Sequence, residues 1–214
     1  MRYKYIAIEG NIGAGKTSLA TRVAADNNAR LVLEEFADNP FLPKFYKEHD
    51  RYAFPLELSF LAERFAQLKK ELGSPDLFQQ AVVSDYFISK SLIFSKANLA
   101  GDEYDLFAKL YSIIEPTLPK PELLLYIHLP ADLLLENIRK RGRGYEQDIT
   151  AKYLEGVQHS YFEFIRQHET MRIVIVDTTS LDFVNSPADY EQMCRLIDTE
   201  FPLGITRIGE DDLT

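Results

Sequence analysis

Apolar positions fall into two kinds of run along this chain. Residues 3–8, 31–34, 81–85, 123–128 and 172–177 are short, almost continuous apolar runs rich in β-branched residues or leucine. Runs of that length and composition predict strands buried on both faces. Longer stretches between them carry apolar residues at helical intervals. Residues 51–72 are the clearest case, with Phe54, Leu58, Leu61, Phe65, Leu68 and Leu72 recurring every three or four positions. That spacing predicts one long amphipathic helix. Strands alternating with helices predict an α/β fold in three layers, a five-stranded parallel sheet with helices on both faces. Pro116, Pro119 and Pro121 break the chain between a helix and the fourth strand. No repeat or long linker interrupts the pattern, so residues 1–214 read as a single domain. The end, Leu203 to Thr214, reads as a loose acidic tail or a late strand.

Composition narrows the setting. With 214 residues and 46% hydrophobic content, the chain can bury a sizeable core. Its longest apolar runs fall short of a membrane span. The first strand starts so near Met1 that no signal or transit peptide is expected. The single cysteine, Cys194, excludes an internal disulfide and a cysteine-built metal site. It shares a helical pattern with Tyr190, Met193 and Ile197 and is expected to be a core thiol. Together these features predict a cytoplasmic protein with no membrane partner. The net charge of −9 argues against a nucleic-acid partner. Any site for a polyanion must then be a local basic patch.

Candidate chemistry starts at residues 10–17, Gly-Asn-Ile-Gly-Ala-Gly-Lys-Thr, between the first strand run and a helix-compatible run from Ser18. This is a G-x-x-x-x-G-K-T phosphate loop in the strand–loop–helix context that the motif needs. Gly10, Gly13 and Gly15 permit turns closed to other residues, so the amides of Asn11, Ile12, Ala14 and their neighbours through Ser18 can converge on a polyphosphate. The positive end of the following helix adds to that field. Lys16 supplies a cation to the β- and γ-phosphates, and Thr17 a hydroxyl to Mg²⁺. The motif predicts ATP-type nucleoside triphosphate binding.

Ligands of such sheets lie beyond the carboxyl ends of the strands. Glu34 ends the second strand run and is placed to take a proton from an attacking hydroxyl. Glu35 beside it leaves open which carboxylate acts. Ser84 and Asp85 end the third run. On the long helix, Glu57 and Arg64 are seven positions apart, roughly 20° apart around the axis but about two turns apart along it. A pocket between helix and sheet could use both, or they could be solvated boundary residues. Residues 139–149 open with Arg139-Lys140-Arg141-Gly142-Arg143, the strongest basic cluster in an acidic chain. Its arginines and glycines suit a lid that closes over phosphates.

At this point the sequence resembles the deoxynucleoside kinases. The resemblance rests on Ile8-Glu9-Gly10-Asn11-Ile12 leading into the phosphate loop, on Glu34-Glu35-Phe36-Ala37-Asp38-Asn39-Pro40-Phe41-Leu42, and on Arg141-Gly142-Arg143-Gly144-Tyr145-Glu146-Gln147. It implies a P-loop kinase fold and an ATP- and Mg²⁺-dependent transfer to the 5′-hydroxyl of a (deoxy)nucleoside in nucleotide salvage, with a purine deoxynucleoside expected. It further implies that Glu34 is the base, that Tyr46 and Glu146 hold the sugar 3′-hydroxyl, that Arg141 and Arg143 are the lid arginines, and that Arg64 lies near the nucleobase. A homodimer is implied through helices flanking the third strand, with Tyr52 and Leu61 as candidate contacts.

The chain departs from the family pattern at three places. Glu57 stands where the family has a glutamine that pairs with the base. A carboxylate offers only acceptors, which favours guanine over adenine, unless Arg64 satisfies Glu57 and makes it structural. Ser84-Asp85-Tyr86 lacks the arginine that supports the catalytic carboxylate. An ungapped match puts Asp85 in that arginine's place, and a one-residue slip puts it on the family's acid, where it would serve metal or substrate. Lys90 stands where a base-contacting aspartate often occurs. Rival readings are a nucleoside monophosphate kinase of the thymidylate kinase type and a degenerate nucleotide-binding module. A switch GTPase would need Asp-x-x-Gly and Asn-Lys-x-Asp motifs, and neither is present.

Overall fold

The computed structural model describes residues 1–35, 39–73, 79 and 81–209. Its strands are β1 (Tyr5–Gly10), β2 (Arg30–Val32), β3 (Val82–Ser84), β4 (Leu123–His128), β5 (Arg172–Asp177) and β6 (Gly204–Ile208). They form one parallel sheet in the order β2-β3-β1-β4-β5-β6. The sheet therefore has six strands where the apolar pattern predicts five. The extra strand, β6, lies in the segment read as tail or late strand. It is an edge strand whose residues alternate between half-buried and exposed, so it lacks the continuous apolar run that marks a strand covered on both faces. The acidic residues 210–214 and the motif residues Phe36, Ala37 and Asp38 lie outside the described residues.

The helices are α1 (Lys16–Asp26), α2 (Leu42–Phe45), α3 (His49–Leu72), α4 (Ser89–Asn98), α5 (Gly101–Ile114), α6 (Ala131–Arg141), α7 (Ala151–Arg166) and α8 (Pro187–Asp198). The strand period of two distributes the core between the layers. Ile6 and Ile8 of β1 with Leu123, Leu125 and Ile127 of β4 pack against Leu19 and Val23 of α1, Leu134 and Ile138 of α6, and Met193 of α8. Ala7, Leu124 and Tyr126 point the other way, onto Val157, Tyr161 and Ile165 of α7 and Ile93 of α4. The long helix α3 buries Leu56, Phe60, Leu61 and Leu68 against Val32, Tyr86 and Phe107.

Leu61 is only 1% exposed, so it belongs to this core and is closed to a partner, contrary to its expected place in a dimer contact. Tyr52 is half-buried. Cys194 is half-buried against the core rather than fully enclosed. The strand order places β2, β3 and β1 side by side. Their carboxyl ends deliver Glu34, Asp85 and the loop from Gly10 to one edge of the sheet.

Candidate active site

The loop between β1 and α1 has the geometry its motif demands. Gly13 and Gly15 have φ of +88° and +87°, a region that side-chain-bearing residues avoid. A Cβ on Gly13 would also lie 2.7 Å from the carbonyl oxygen of Leu134 in α6. Asn11 fastens the loop, donating to the Leu154 carbonyl of α7 at 2.7 Å and accepting from the Ile12 amide at 2.8 Å. Lys16 Nζ curls over the loop and donates to the carbonyls of Gly10 and Asn11, both at 2.8 Å. Burial, and then the charge of Lys90, lowers the Lys16 pKa to about 8. Beneath the loop sits Glu9, wholly buried, accepting from the Tyr161 hydroxyl at 2.7 Å and the Phe87 amide at 3.3 Å. Burial raises its pKa against the pull of Lys90 and Lys16.

Asp85 turns toward the loop. Its Oδ2 accepts from Thr17 Oγ1 at 2.5 Å and its Oδ1 from the Glu34 amide at 2.8 Å. Thr17 and Asp85 bring two hard oxygen donors together beside the phosphate loop. No cluster of three or more His, Cys, Asp or Glu suited to a metal occurs among the described residues. Such a sparse donor set fits Mg²⁺, which keeps waters and phosphate oxygens as ligands.

Glu34 lies two residues beyond β2, and its side chain is 12% exposed. One carboxylate oxygen accepts from Arg64 Nη2 at 2.6 Å and Nε at 2.8 Å, and the other from Lys90 Nζ at 2.6 Å. Burial opposes ionisation, but Lys90 and Arg64 outweigh it and hold the Glu34 pKa down at about 2. The third guanidinium nitrogen of Arg64 donates to Ser91 at 2.8 Å. These contacts change three sequence expectations. Arg64 is buried and bound to Glu34 rather than solvated, and its hydrogen bonds do not go to Glu57. The cations set against the strand-end carboxylate are Arg64 and Lys90 rather than a strand-three arginine. Lys90 is turned toward the carboxylate at the sheet edge.

Glu57 is also buried, at 1% exposure, so the boundary reading fails for it too. Asn98 Nδ2 donates to it at 2.6 Å. Burial raises its pKa to about 7 against the attraction of Arg64. In the arginine-rich segment, α6 ends at Arg141, Gly142 turns through φ of +73°, and a short 3₁₀ turn spans Gly144–Glu146. Glu146 is 5% exposed and accepts from Arg141 Nη2 at 2.6 Å and Arg143 Nη1 at 3.3 Å. The Tyr46 and Tyr145 rings stack at 6.4 Å.

Two cavities open on this edge. One, of about 770 Å³, is lined by Glu34, Tyr46, Glu57, Arg64, Asp85, Lys90, Asn98, Glu146 and Tyr153. The other, of about 1460 Å³, lies between the loop residues Gly13–Ser18 and a wall from α6 and residues 178–185. Lys16, Thr17, Arg141 and Arg143 line both. The sequence reading gave no role to Asn98, Ser91, Glu9 or the 178–185 wall. Of these only Glu9 carried a signal, as a charged residue between an apolar strand run and the glycine loop.

Two cavities meeting over a phosphate loop are what a P-loop phosphotransferase needs to bring two substrates together. The sequence matches the family model described as "Deoxynucleoside kinase" over residues 6–201, and the chain belongs to that family. It is 36% identical over 193 residues to the deoxyguanosine kinase of Bacillus subtilis, covering 88% of this chain and 93% of that protein. It is 30% identical over 202 residues to the deoxyadenosine kinase of Dictyostelium discoideum, covering 92% of this chain and 79% of that one. A deoxyadenosine kinase from M. mycoides with bound dATP superposes with a TM-score of 0.79 at 22% identity, over 92% of this chain and 100% of that one. The last likeness is one of fold.

Proposed function

We propose that this kinase transfers the γ-phosphoryl group of ATP to the 5′-hydroxyl of a purine deoxynucleoside, in cytoplasmic nucleotide salvage. The observation that carries the reading is the junction of the two cavities, where Lys16, Thr17, Arg141 and Arg143 face both sides and Glu34 lines the smaller one alone. The larger cavity, beside the phosphate loop, is assigned to ATP and the smaller one to the nucleoside. The purine preference draws support from relatives named for deoxyguanosine and deoxyadenosine.

In this reading the loop amides and Lys16 hold the β- and γ-phosphates. Thr17 and Asp85 would hold Mg²⁺, which would supply positive charge to offset that of the phosphates. Tyr46 and Glu146 take the sugar 3′-hydroxyl. Glu34 orients the 5′-hydroxyl for in-line attack, with Arg64 and Lys90 fixing its rotamer. Arg141 and Arg143 form a lid and exchange Glu146 for phosphate oxygens, countering charge on the moving phosphoryl group. A homodimer is part of the proposal.

The thymidylate kinase-like alternative needs cations to bind an acceptor phosphate. Arg64 and Lys90 are buried cations that could serve it, and both are bound to Glu34. A radiolabelled ATP transfer screen over nucleosides, deoxynucleosides and their monophosphates tests the reading. Labelled deoxynucleoside 5′-monophosphate is the expected product. Label found only on monophosphate acceptors favours the alternative, and no label anywhere favours a degenerate binding module.

A further inference from the structure

Glu9 has no exposed surface and sits in β1 opposite Tyr126 of β4. It lines neither cavity, and the proposed mechanism leaves it unused. Three donors converge on it. The Tyr161 hydroxyl of α7 reaches Oε2 at 2.7 Å and the Gly10 amide reaches it at 3.3 Å, while the Phe87 amide reaches Oε1 at 3.3 Å. A buried carboxylate is tolerated when it is hydrogen-bonded and faces opposite charge, and Lys90 and Lys16 supply that charge. Glutamine has the same shape but a single acceptor oxygen. In either orientation its NH₂ would meet the amide of Gly10 or of Phe87. The three donors call for a side chain that only accepts.

Two of those donors lie on the segments that carry the reacting groups. The β1–β3 ladder registers Tyr5, Ile6 and Ala7 against Val82, Val83 and Ser84 and stops short of the site. Beyond it, Gly10 opens the phosphate loop, and its carbonyl accepts from Lys16 Nζ at 2.8 Å. Phe87 lies between Asp85 and Lys90, and its carbonyl accepts from the Lys90 amide at 3.1 Å. Lys90 in turn holds Glu34. One carboxylate thus grips the backbone beneath Lys16 and the backbone beneath Lys90. Thr17 and Asp85 also join the two segments, but through the oxygens proposed for Mg²⁺. The Glu9 bonds use neither oxygen.

We propose that Glu9 is a positioning residue that registers the phosphate loop against the segment from Asp85 to Lys90. The proposal rests on the kinase reading above. The loop holds the γ-phosphate, and the Lys90 segment sets Glu34 and with it the 5′-hydroxyl. In-line transfer depends on the register between them, and a misplacement of about 1 Å far from the chemistry can lower a rate by about 10²-fold. Because Glu9 lines neither cavity, its loss acts on turnover and leaves the binding of each substrate in place.

Three variants test this. Glu9→Gln keeps the shape and breaks a bond to a backbone amide. Glu9→Asp keeps the charge and the acceptors but is one methylene shorter. Both should lower kcat by roughly 10- to 10²-fold, while calorimetry gives dissociation constants for ATP and for the deoxynucleoside close to wild type. Tyr161→Phe removes the shortest of the three bonds and leaves both amide bonds, so its kcat should stay near wild type. Wild-type kcat in Glu9→Gln overturns the proposal. Wild-type kcat in Glu9→Asp alone overturns it too, because charge rather than position would then matter. An equal kcat loss in Tyr161→Phe, or a loss that appears as weaker binding of either substrate, also overturns it. A further readout needs no variant and no turnover. In the ligand-free wild type, the Phe87 amide should exchange its hydrogen as slowly as the ladder amides of β3, and fast exchange overturns the tie. Absence of transfer to any deoxynucleoside by the wild type would overturn the kinase reading instead, while the exchange measurement still reports on Glu9.

Discussion

Glu34 carries a tension between its charge state and the work proposed for it. A carboxylate whose pKa is held near 2 is a weak proton acceptor at neutral pH. Phosphoryl transfer through a loose transition state asks little of a base before the phosphorus–oxygen bond forms, so orientation is the larger contribution. Glu34→Gln should lower kcat by roughly 10²-fold or more. It should also destabilise the fold by about 3–5 kcal/mol, because Arg64 and Lys90 remain buried without a counter-charge. The folded pKa lies below the ordinary carboxylate value, so this stabilisation is full above about 4.5 and is lost as pH falls toward 2. The melting-temperature gap between wild type and Glu34→Gln should accordingly close over that range. Glu34→Gln/Lys90→Met should regain stability without activity, and a larger kcat loss in Glu35→Gln would move the assignment by one residue. Lys16→Ala should abolish transfer and sharply weaken ATP binding. Because the Lys16 pKa lies near 8, wild-type ATP affinity should weaken as pH rises through that value, measured by calorimetry. Lys16 and Glu34 were legible because one sits in a contiguous motif and the other at the end of an apolar run. The support of Lys90 for Glu34 was not, because it joins residues 56 positions apart that meet only when the sheet forms. The pairing of Asn98 with Glu57, 41 positions apart, was hidden for the same reason.

At the scale of elements, what was legible followed from how each element is buried. Strands covered by helices on both faces leave continuous apolar runs, and α3 leaves a stripe. The edge strand β6, exposed on alternate residues, leaves neither. The arginine-rich turn was legible as charge, but its resting state was not. Arg141, the last residue of α6, and Arg143 are held by the buried Glu146 of the short turn that follows. In the proposed mechanism the two arginines exchange this partner for phosphate oxygens and act mainly where charge develops. Arg141→Ala and Arg143→Ala should therefore lower kcat more than they raise KM for ATP. Steady-state kinetics checks this, and a pure KM effect would reduce the turn to a binding element. Glu146→Gln should raise KM for the deoxynucleoside, since its carboxylate is the proposed partner of the sugar hydroxyl.

For the whole molecule, charge and apolar surface are distributed unevenly. The chain carries a net −9, yet Lys16, Arg141 and Arg143 gather where the two cavities meet. The acidic composition disfavours binding to large polyanions, while this local basic cluster suits a phosphate group. Apolar exposure is concentrated too. On α5, Leu106 is 49% and Ile113 is 70% exposed, with Leu110 half-buried between them. These positions follow helical spacing and form one stripe. Leu58, 37% exposed, lies on the neighbouring α3. Single exposed leucines are ordinary, whereas a row on packed helices suits a partner. A second copy is the proposed occupant, because a two-fold axis lays such a stripe on itself. Ile113→Glu would then bury a charge at the contact. Light scattering should give the mass of two chains for the wild type and one for the variant. Activity should survive, because the described nucleoside cavity is built from one chain. The edge strand β6 exposes Ile205 at 37% and supplies the competing surface. Dissociation by Ile205→Lys but not by Ile113→Glu would move the interface there, and a monomeric wild type would remove the dimer altogether.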